Sequence, residues 1–407
     1  MSGDPTPLSF LTPNLFTQSF PTSNNRISNF PSSQIAQDAK ETRVVLHPRL
    51  PELITAFLRH KRARGSDVEK KLYSRMSQPE FVARLIKKRP LVFIDPRDTT
   101  FTRDGDKFSD PREWDRVGTD NEALNKYLKL EQYMSYDEIM LSSLIAVSSP
   151  TYFINTGARH NRGRIDASKP HQARGIIIGL VGARFERPDR MDGVYILPEP
   201  QSPGSIIQDP RLSAIFEAWF GCVKRTGVGF NVEMYKARMR ISIDTLLLEA
   251  DDRAAEVSKK AYIHATGLGL GVWKYHENQL EWFVEAYIEA LRNLSLKHVN
   301  VLEMAWMNQV SEQNKTKLIA AGKDVGIKVL FNQRDPAAKL DGDELLVMSF
   351  AWDGNSFPGN EYWYGQSYLA SSADPAAACC STIAELQNPY INPFAHRIKV
   401  PLDRTID

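Results

Sequence analysis

Hydrophobic and polar positions fall into three textures along the chain. Residues 1–42 hold no sustained apolar period and are rich in Ser, Thr, Asn and Pro, which predicts a disordered or loosely attached tail. From 43 to 135, apolar residues recur at helical spacing over 50–62 and 81–88, with a short apolar run at 91–94 and turn clusters such as Asp95-Pro96-Arg97-Asp98 between them. That region reads as helical rather than as a sheet domain. After about Ser135, short β-rich runs alternate with amphipathic stretches, the pattern of an α/β layer architecture over 136–407. Strands are expected at 151–155, 175–181, 299–303, 327–331 and 345–352. The clearest helix covers 277–294, where Leu280, Phe283, Val284, Tyr287 and Leu291 share one face. Another is expected from Asp374, an N-capping residue followed by Pro375 and Ala376–Ala378.

Composition changes this picture little. With 407 residues, 42% hydrophobic and 25% charged, the chain is an ordinary globular one. It has no apolar run of 18 residues, so no membrane span or membrane partner is expected, and it opens without the signature of a signal peptide. Three cysteines, with Cys379 and Cys380 adjacent, make neither a disulfide framework nor a four-cysteine zinc site, which points to a reducing, cytoplasmic setting. Charge is more informative. Segment 59–89 holds 11 Lys/Arg against 3 Asp/Glu, leaving 40 basic and 46 acidic residues elsewhere. Its bases interleave with Leu, Phe, Tyr and Ile at helical spacing, so they read as solvated helix faces; nucleic-acid binding is the alternative.

No HExxH, G-x-S-x-G, Walker A or kinase motif is present. Gly267-Leu268-Gly269-Leu270-Gly271 departs from the dinucleotide fingerprint; its glycines suit either close backbone approach to a phosphate or tight packing beside Trp273. The loop from Phe153 to Gly163 follows a strand, and Asn155, Gly157, Arg159 and Asn161 there suit ribose or phosphate; a solvated turn is the alternative, and the residues alone favour it. Arg184, Phe185 and Glu186 follow the next strand in the same way. The last third is richest. Asp335 follows one strand, Asp343 opens the next, and Asp353 closes it in a loop with Gly354, Asn355, Asn360 and Glu361. Carboxylates, backbone donors and aromatic rings in one loop suit a nucleotide–sugar ligand, and paired carboxylates can activate water at a glycosidic carbon.

The run Ala351-Trp352-Asp353-Gly354-Asn355-Ser356-Phe357-Pro358-Gly359-Asn360-Glu361-Tyr362-Trp363 resembles the signature of the MavL-like macrodomains. So do the segments 372–378, 381–389 and 391–393, the 153–163 loop, Val181–Glu186 and Gly267–Trp273. The resemblance covers roughly Tyr136 to the C-terminus. It implies a macrodomain-like three-layer α/β/α fold with a mixed sheet, preceded by the helical region, and hydrolysis of mono-ADP-ribose from arginine side chains of modified proteins. Asp335, Asp343, Asp353 and Glu361 would carry the catalysis. Asn155, Gly157, Arg159, Asn161, Arg184, Phe185, Glu186, Gly267, Gly269, Gly354, Asn355 and Asn360 would bind ADP-ribose. Thr156 stands where that family's loop leads one to expect an acid. No metal or cofactor is required; ADP-ribose is ligand or product, and an ADP-ribosylated protein is the partner. A non-catalytic ADP-ribose reader is the alternative.

Overall fold

The computed structural model describes residues 8, 11, 23–94, 97–158, 161–185, 187, 189–198, 209–222, 229–360, 363 and 383–406. The expected helix from Asp374, with Cys379 and Cys380, lies outside them.

The first departure from expectation is the tail. Residues Ser32–Glu41 form α1, which buries Ile35 and Ala39 against Leu386 and pairs the buried Asp38 with Arg174. Only three apolar residues lie in 35–39, Ile35, Ala36 and Ala39, and the surface that covers them lies over 340 residues downstream. The second departure is β1 (Arg43–Leu46), a strand of the main sheet. Helices α2 (Leu50–Arg64), α3 (Asp67–Tyr73) and α4 (Gln78–Lys87) follow, then an antiparallel three-stranded sheet of β2 (Val92–Ile94), β3 (Thr99–Phe101) and β4 (Lys107–Ser109), α5 (Pro111–Arg116) and α6 (Tyr136–Ser142). Reciprocal capping boxes, Ser66/Glu69, Ser77/Glu80 and Ser135/Glu138, start α3, α4 and α6. The 43–135 region is thus mixed, and its side chains join the same core as the rest of the chain.

Four expected strands are present with shifted ends, β6 (Arg174–Leu180), β8 (Val299–Ala305), β9 (Lys328–Asn332) and β10 (Leu345–Ala351); β5 (Ile145–Tyr152) shares only residues 151 and 152 with the expected 151–155, and β7 (Ala261–Ala265) and β11 (Ile398–Lys399) join them. They form one mixed sheet in the order β11-β1-β5-β6-β10-β7-β8-β9. Strands β6, β10, β7, β8 and β9 are mutually parallel, and β5 runs against its neighbours β1 and β6. The carboxyl ends of five strands therefore face one way, and ligands of open α/β sheets gather at such an end.

Helices α7 (Gly193–Ile196), α8 (Pro210–Phe220), α9 (Val232–Glu256), α10 (Gln279–Asn293) and α11 (Glu312–Asp324) complete the main elements. The α10 stripe buries Phe283, Val284, Tyr287 and Leu291 as the spacing predicted. Helix α9, with 25 residues, is about 37 Å long and packs on β1, β5, β6, β7, β8 and β10. Among the described residues no helix is long and apolar enough to cross a membrane.

Of the basic segment, Lys61, Arg84 and Arg89 are buried, whereas Arg59, Arg62, Arg64, Lys70, Lys71, Arg75 and Lys87 are exposed. Lys61 pairs with Glu69 and Asp137, and Arg84 with Glu138. Arg62 donates to the Tyr73 and Met76 carbonyls. Much of the local +8 is helix surface and internal pairing.

Candidate active site

Asp353 follows the carboxyl end of β10 and is half-buried. Its Oδ2 accepts from Asn360 Nδ2 at 2.6 Å, and its carbonyl accepts from Arg184 Nη1 at 3.0 Å. Arg184 in turn lies over the Trp273 ring, 4.4 Å from its centroid. The expected residues Asp353, Asn360 and Arg184 are thus brought together, with the two polar partners fixing the carboxylate's orientation.

The loop's backbone is held as tightly. Gly354 adopts φ +72°, and a Cβ there would lie 3.0 Å from Val181 Cγ2, so the turn needs glycine. Its carbonyl accepts from Ser142 Oγ. Arg89 donates to Ser142 Oγ at 2.7 Å and to Leu85 O at 2.6 Å, with a longer contact to Ser356 O, and its guanidinium stacks 4.1 Å from the Trp352 ring. Burial pushes the Arg89 pKa well below its ordinary value. Asn355 is fully buried, and neither of its amide atoms has a hydrogen-bond partner among the described residues, a group poised for a ligand or water.

The neighbouring Val181–Phe185 segment rests on α9. Ser242 Oγ donates to the Val181 carbonyl at 2.8 Å, and Arg238 reaches the Val181 and Gly182 carbonyls while pairing with the buried Asp192 at 3.0 Å. Asp192 accepts from the Arg184 amide. Phe185 is buried against Phe230 and Tyr275. Gly182 and Gly269 touch backbone to backbone: a Cβ on Gly182 would fall 2.3 Å from Gly269 N, and Gly269 itself has φ +69°. That contact accounts for Gly269 by packing.

A cavity of ≈ 620 Å³ opens at the carboxyl ends of β7, β8 and β9. Gly267 and Thr266 line it after β7, Trp306 after β8, and Asp335 after β9, with Gly157, His264 and Lys274. Trp306 has φ +61° and is 55% exposed. A bulky residue in the left-handed region costs about 1–2 kcal/mol, and here the backbone is held by the Trp306 amide donating to Asn332 O at 2.9 Å. Asp335 Oδ2 accepts from Thr156 Oγ1 at 2.8 Å. Below, Glu303 is buried 3.3 Å from His264 Nδ1 and 3.1 Å from Arg334 Nε. Burial raises the Glu303 pKa, but His264, Arg334 and Tyr262 outweigh it and hold the carboxyl below its ordinary range.

Two expectations need correction. Asp343 is exposed at the amino end of β10, where its carbonyl accepts from Lys259 Nζ. The seven residues of β10 place roughly 20 Å between that end and Asp353, so the three aspartates do not converge. The 153–163 loop does not follow a strand of the parallel set either, because it leaves the reversed strand β5. It returns through hydrogen bonds to the segment after β9, with Ala337 N donating to Thr156 O at 2.8 Å. Asn155 and Asn161 organise the loop itself: Asn155 Oδ1 accepts from the Gly157 amide and from Asn161 Nδ2. Arg159, Glu186 and Glu361 lie outside the described residues. Sequence reasoning missed Trp306, Lys274, Arg89 and the Asp192–Arg238 pair. The strand-end rule could have found Trp306, which directly follows β8.

The family model described as ADP-ribosylhydrolase MavL-like matches residues 11–201 and 211–400. The match therefore reaches through the tail and the basic segment, further than the 136–407 resemblance, as expected if β1 and α1 belong to the same fold. ADP-ribosylarginine hydrolase CG3568 of Drosophila melanogaster is 36% identical over 399 residues, covering 89% of this chain and 77% of the relative. ADP-ribosylarginine hydrolase CG2909 of the same organism is 35% identical over 401 residues, covering 88% and 78%. The chain belongs to the MavL-like ADP-ribosylhydrolase family.

Proposed function

We propose that this chain removes mono-ADP-ribose from arginine side chains of modified proteins, with Asp353 as the principal carboxylate. The observation that carries the reading is the oriented carboxylate at the end of β10, with Asn360 on Oδ2 and Arg184 on its own carbonyl. The names of the two relatives supply the linkage. Asp353 takes a proton from water as the water oxygen bonds to the anomeric carbon of the distal ribose. The C–N electron pair passes to the guanidine nitrogen, which takes up the proton that Asp353 received and leaves as the arginine guanidinium, returning Asp353 to the carboxylate. A fixed carboxylate also stabilises positive charge developing on the ribose. The sheet order, with five parallel strands and β5 reversed, supports the macrodomain-like three-layer arrangement.

Release of ADP-ribose from arginine-, serine- and glutamate-linked peptides, compared side by side, tests this. The reading expects turnover of the arginine linkage well above the other two. Binding without release would instead make the protein a reader.

A further inference from the structure

A network of charges joins the N-terminal region to the residues that follow β6. Asp98, directly before β3, is 3% exposed and takes φ +56°, a left-handed conformation that costs aspartate less than most residues. Its carbonyl accepts from Thr100 Oγ1 at 2.8 Å, and that oxygen accepts from the buried Trp114 Nε1 at 2.9 Å, so its backbone is fixed from within the N-terminal region. Its Oδ2 accepts from the Tyr136 hydroxyl and pairs with Arg187 Nη1 at 3.0 Å. Arg187 also pairs with Asp115 at 3.2 Å and Asp189 at 3.5 Å. Arg190 pairs with the same two acids at 2.8 Å and 2.9 Å, and both guanidiniums lie over the Tyr136 ring.

Three carboxylates thus meet two guanidiniums. The next cation whose charge acts on Asp98 is Arg184, which donates to the Asp353 carbonyl and stands three residues before Arg187. Burial lifts the Asp98 carboxyl to about 6 against the Tyr136 hydrogen bond and the charges of Arg187 and Arg184, so the fold is more stable with this carboxyl protonated than ionised. A neutral amide would accept from Tyr136 without that cost. The charge therefore serves something other than stability.

Resting on the proposed function, we infer that Asp98 is a positioning residue of the hydrolysis: through Arg187 its charge holds the residues after β6 so that Arg184 fixes the Asp353 carbonyl. The N-terminal region thereby takes part in the reaction, acting through two arginines.

The test compares wild type, Asp98→Asn, Arg187→Gln and the double variant in ADP-ribose release from an arginine-linked peptide and in denaturant titration. At about pH 7.5 Asp98→Asn should keep or raise stability while kcat falls about 3- to 10-fold, the effect of a small misplacement, with KM within about twofold. Wild-type kcat should rise through a step at about pH 6 that Asp98→Asn lacks. The double variant should be no slower than the slower single one, because both substitutions break the same link. Wild-type kcat in Asp98→Asn, a loss that comes only with a matching loss of stability, a step that persists, or losses that multiply in the double variant would overturn the inference while leaving the hydrolase reading intact. Absence of release by the wild type overturns both.

Discussion

The Asp353 loop and the Trp306 cavity lie side by side at the carboxyl ends of β10, β7 and β8, and they are built by opposite rules. Around Asp353 the groups nearest the carboxylate are committed, the carboxylate to Asn360, its carbonyl to Arg184, the Gly354 carbonyl to Ser142, and Ser142 to Arg89, while the Asn355 amide and Ser356 Oγ have no hydrogen-bond partner among the described residues. Around Trp306 the groups are more open, with a half-exposed ring on a left-handed backbone and Lys274 without a carboxylate partner among the described residues, although Asp335 accepts from Thr156. A group that acts on a bond must be held before the ligand arrives, because misplacement by an ångström is costly. A group that only recognises can wait for its partner. The contrast supports the proposal that Asp353 carries the chemistry.

The largest expected effect falls on the committed side. Asp353→Asn should lower kcat by about 10³-fold, near the usual worth of a positioned acid–base group, measured as ADP-ribose release from an arginine-linked peptide. Arg89→Lys should come next. Lysine cannot make the fork to Leu85 O and Ser142 Oγ, so stability should fall by about 1–3 kcal/mol in denaturant titration, and kcat by about tenfold as the loop loosens. A kcat that follows Asp353 but ignores Arg89 would break the argument that the held backbone matters.

A smaller effect tests the buried Asp98, which pairs with Arg187 and accepts from Tyr136. Burial lifts the Asp98 carboxyl to about 6, against the hydrogen bond from Tyr136 and the charge of Arg187. Between about pH 4 and pH 6 the folded chain holds a proton that the unfolded chain has lost, so this group's contribution falls as pH rises through that window. Asp98→Asn should remove that slope, worth up to about 3 kcal/mol, read as the difference between the two proteins in denaturant titrations at pH 4.5 and pH 7. The smallest effect is expected at Asp343. Asp343→Asn should leave kcat and KM within about twofold, since the residue is exposed at the far end of β10; a large loss would restore the aspartate triplet.

Local pattern carried part of this architecture. The strand runs β6, β8, β9 and β10 read correctly because parallel strands buried on both faces are short continuous apolar segments, and α10 read correctly because one of its faces is polar. Helix α9 was illegible for the opposite reason: Arg238, Asp244, Glu249, Asp251 and Arg253 are buried along with its apolar residues, so no polar face marks its period. Tail helix α1 and strand β1 owe their order to partners hundreds of residues away, Leu386 and Ile398 among them, and no local window contains that information. Spacing grouped Asp343 with Asp353 because they are near in sequence, whereas a strand carries two such residues to opposite ends of a sheet. Arg89 was hidden in a basic run, where charge counting cannot separate a buried guanidinium from a solvated one.

The claim that the held carboxylate performs the chemistry is tested most directly by measuring ADP-ribose affinity and ADP-ribose release on the same preparations of wild type and Asp353→Asn. The account predicts release lowered by about 10³-fold with affinity changed by less than about fivefold. Release that survives the substitution, or that falls only in step with affinity, would contradict it.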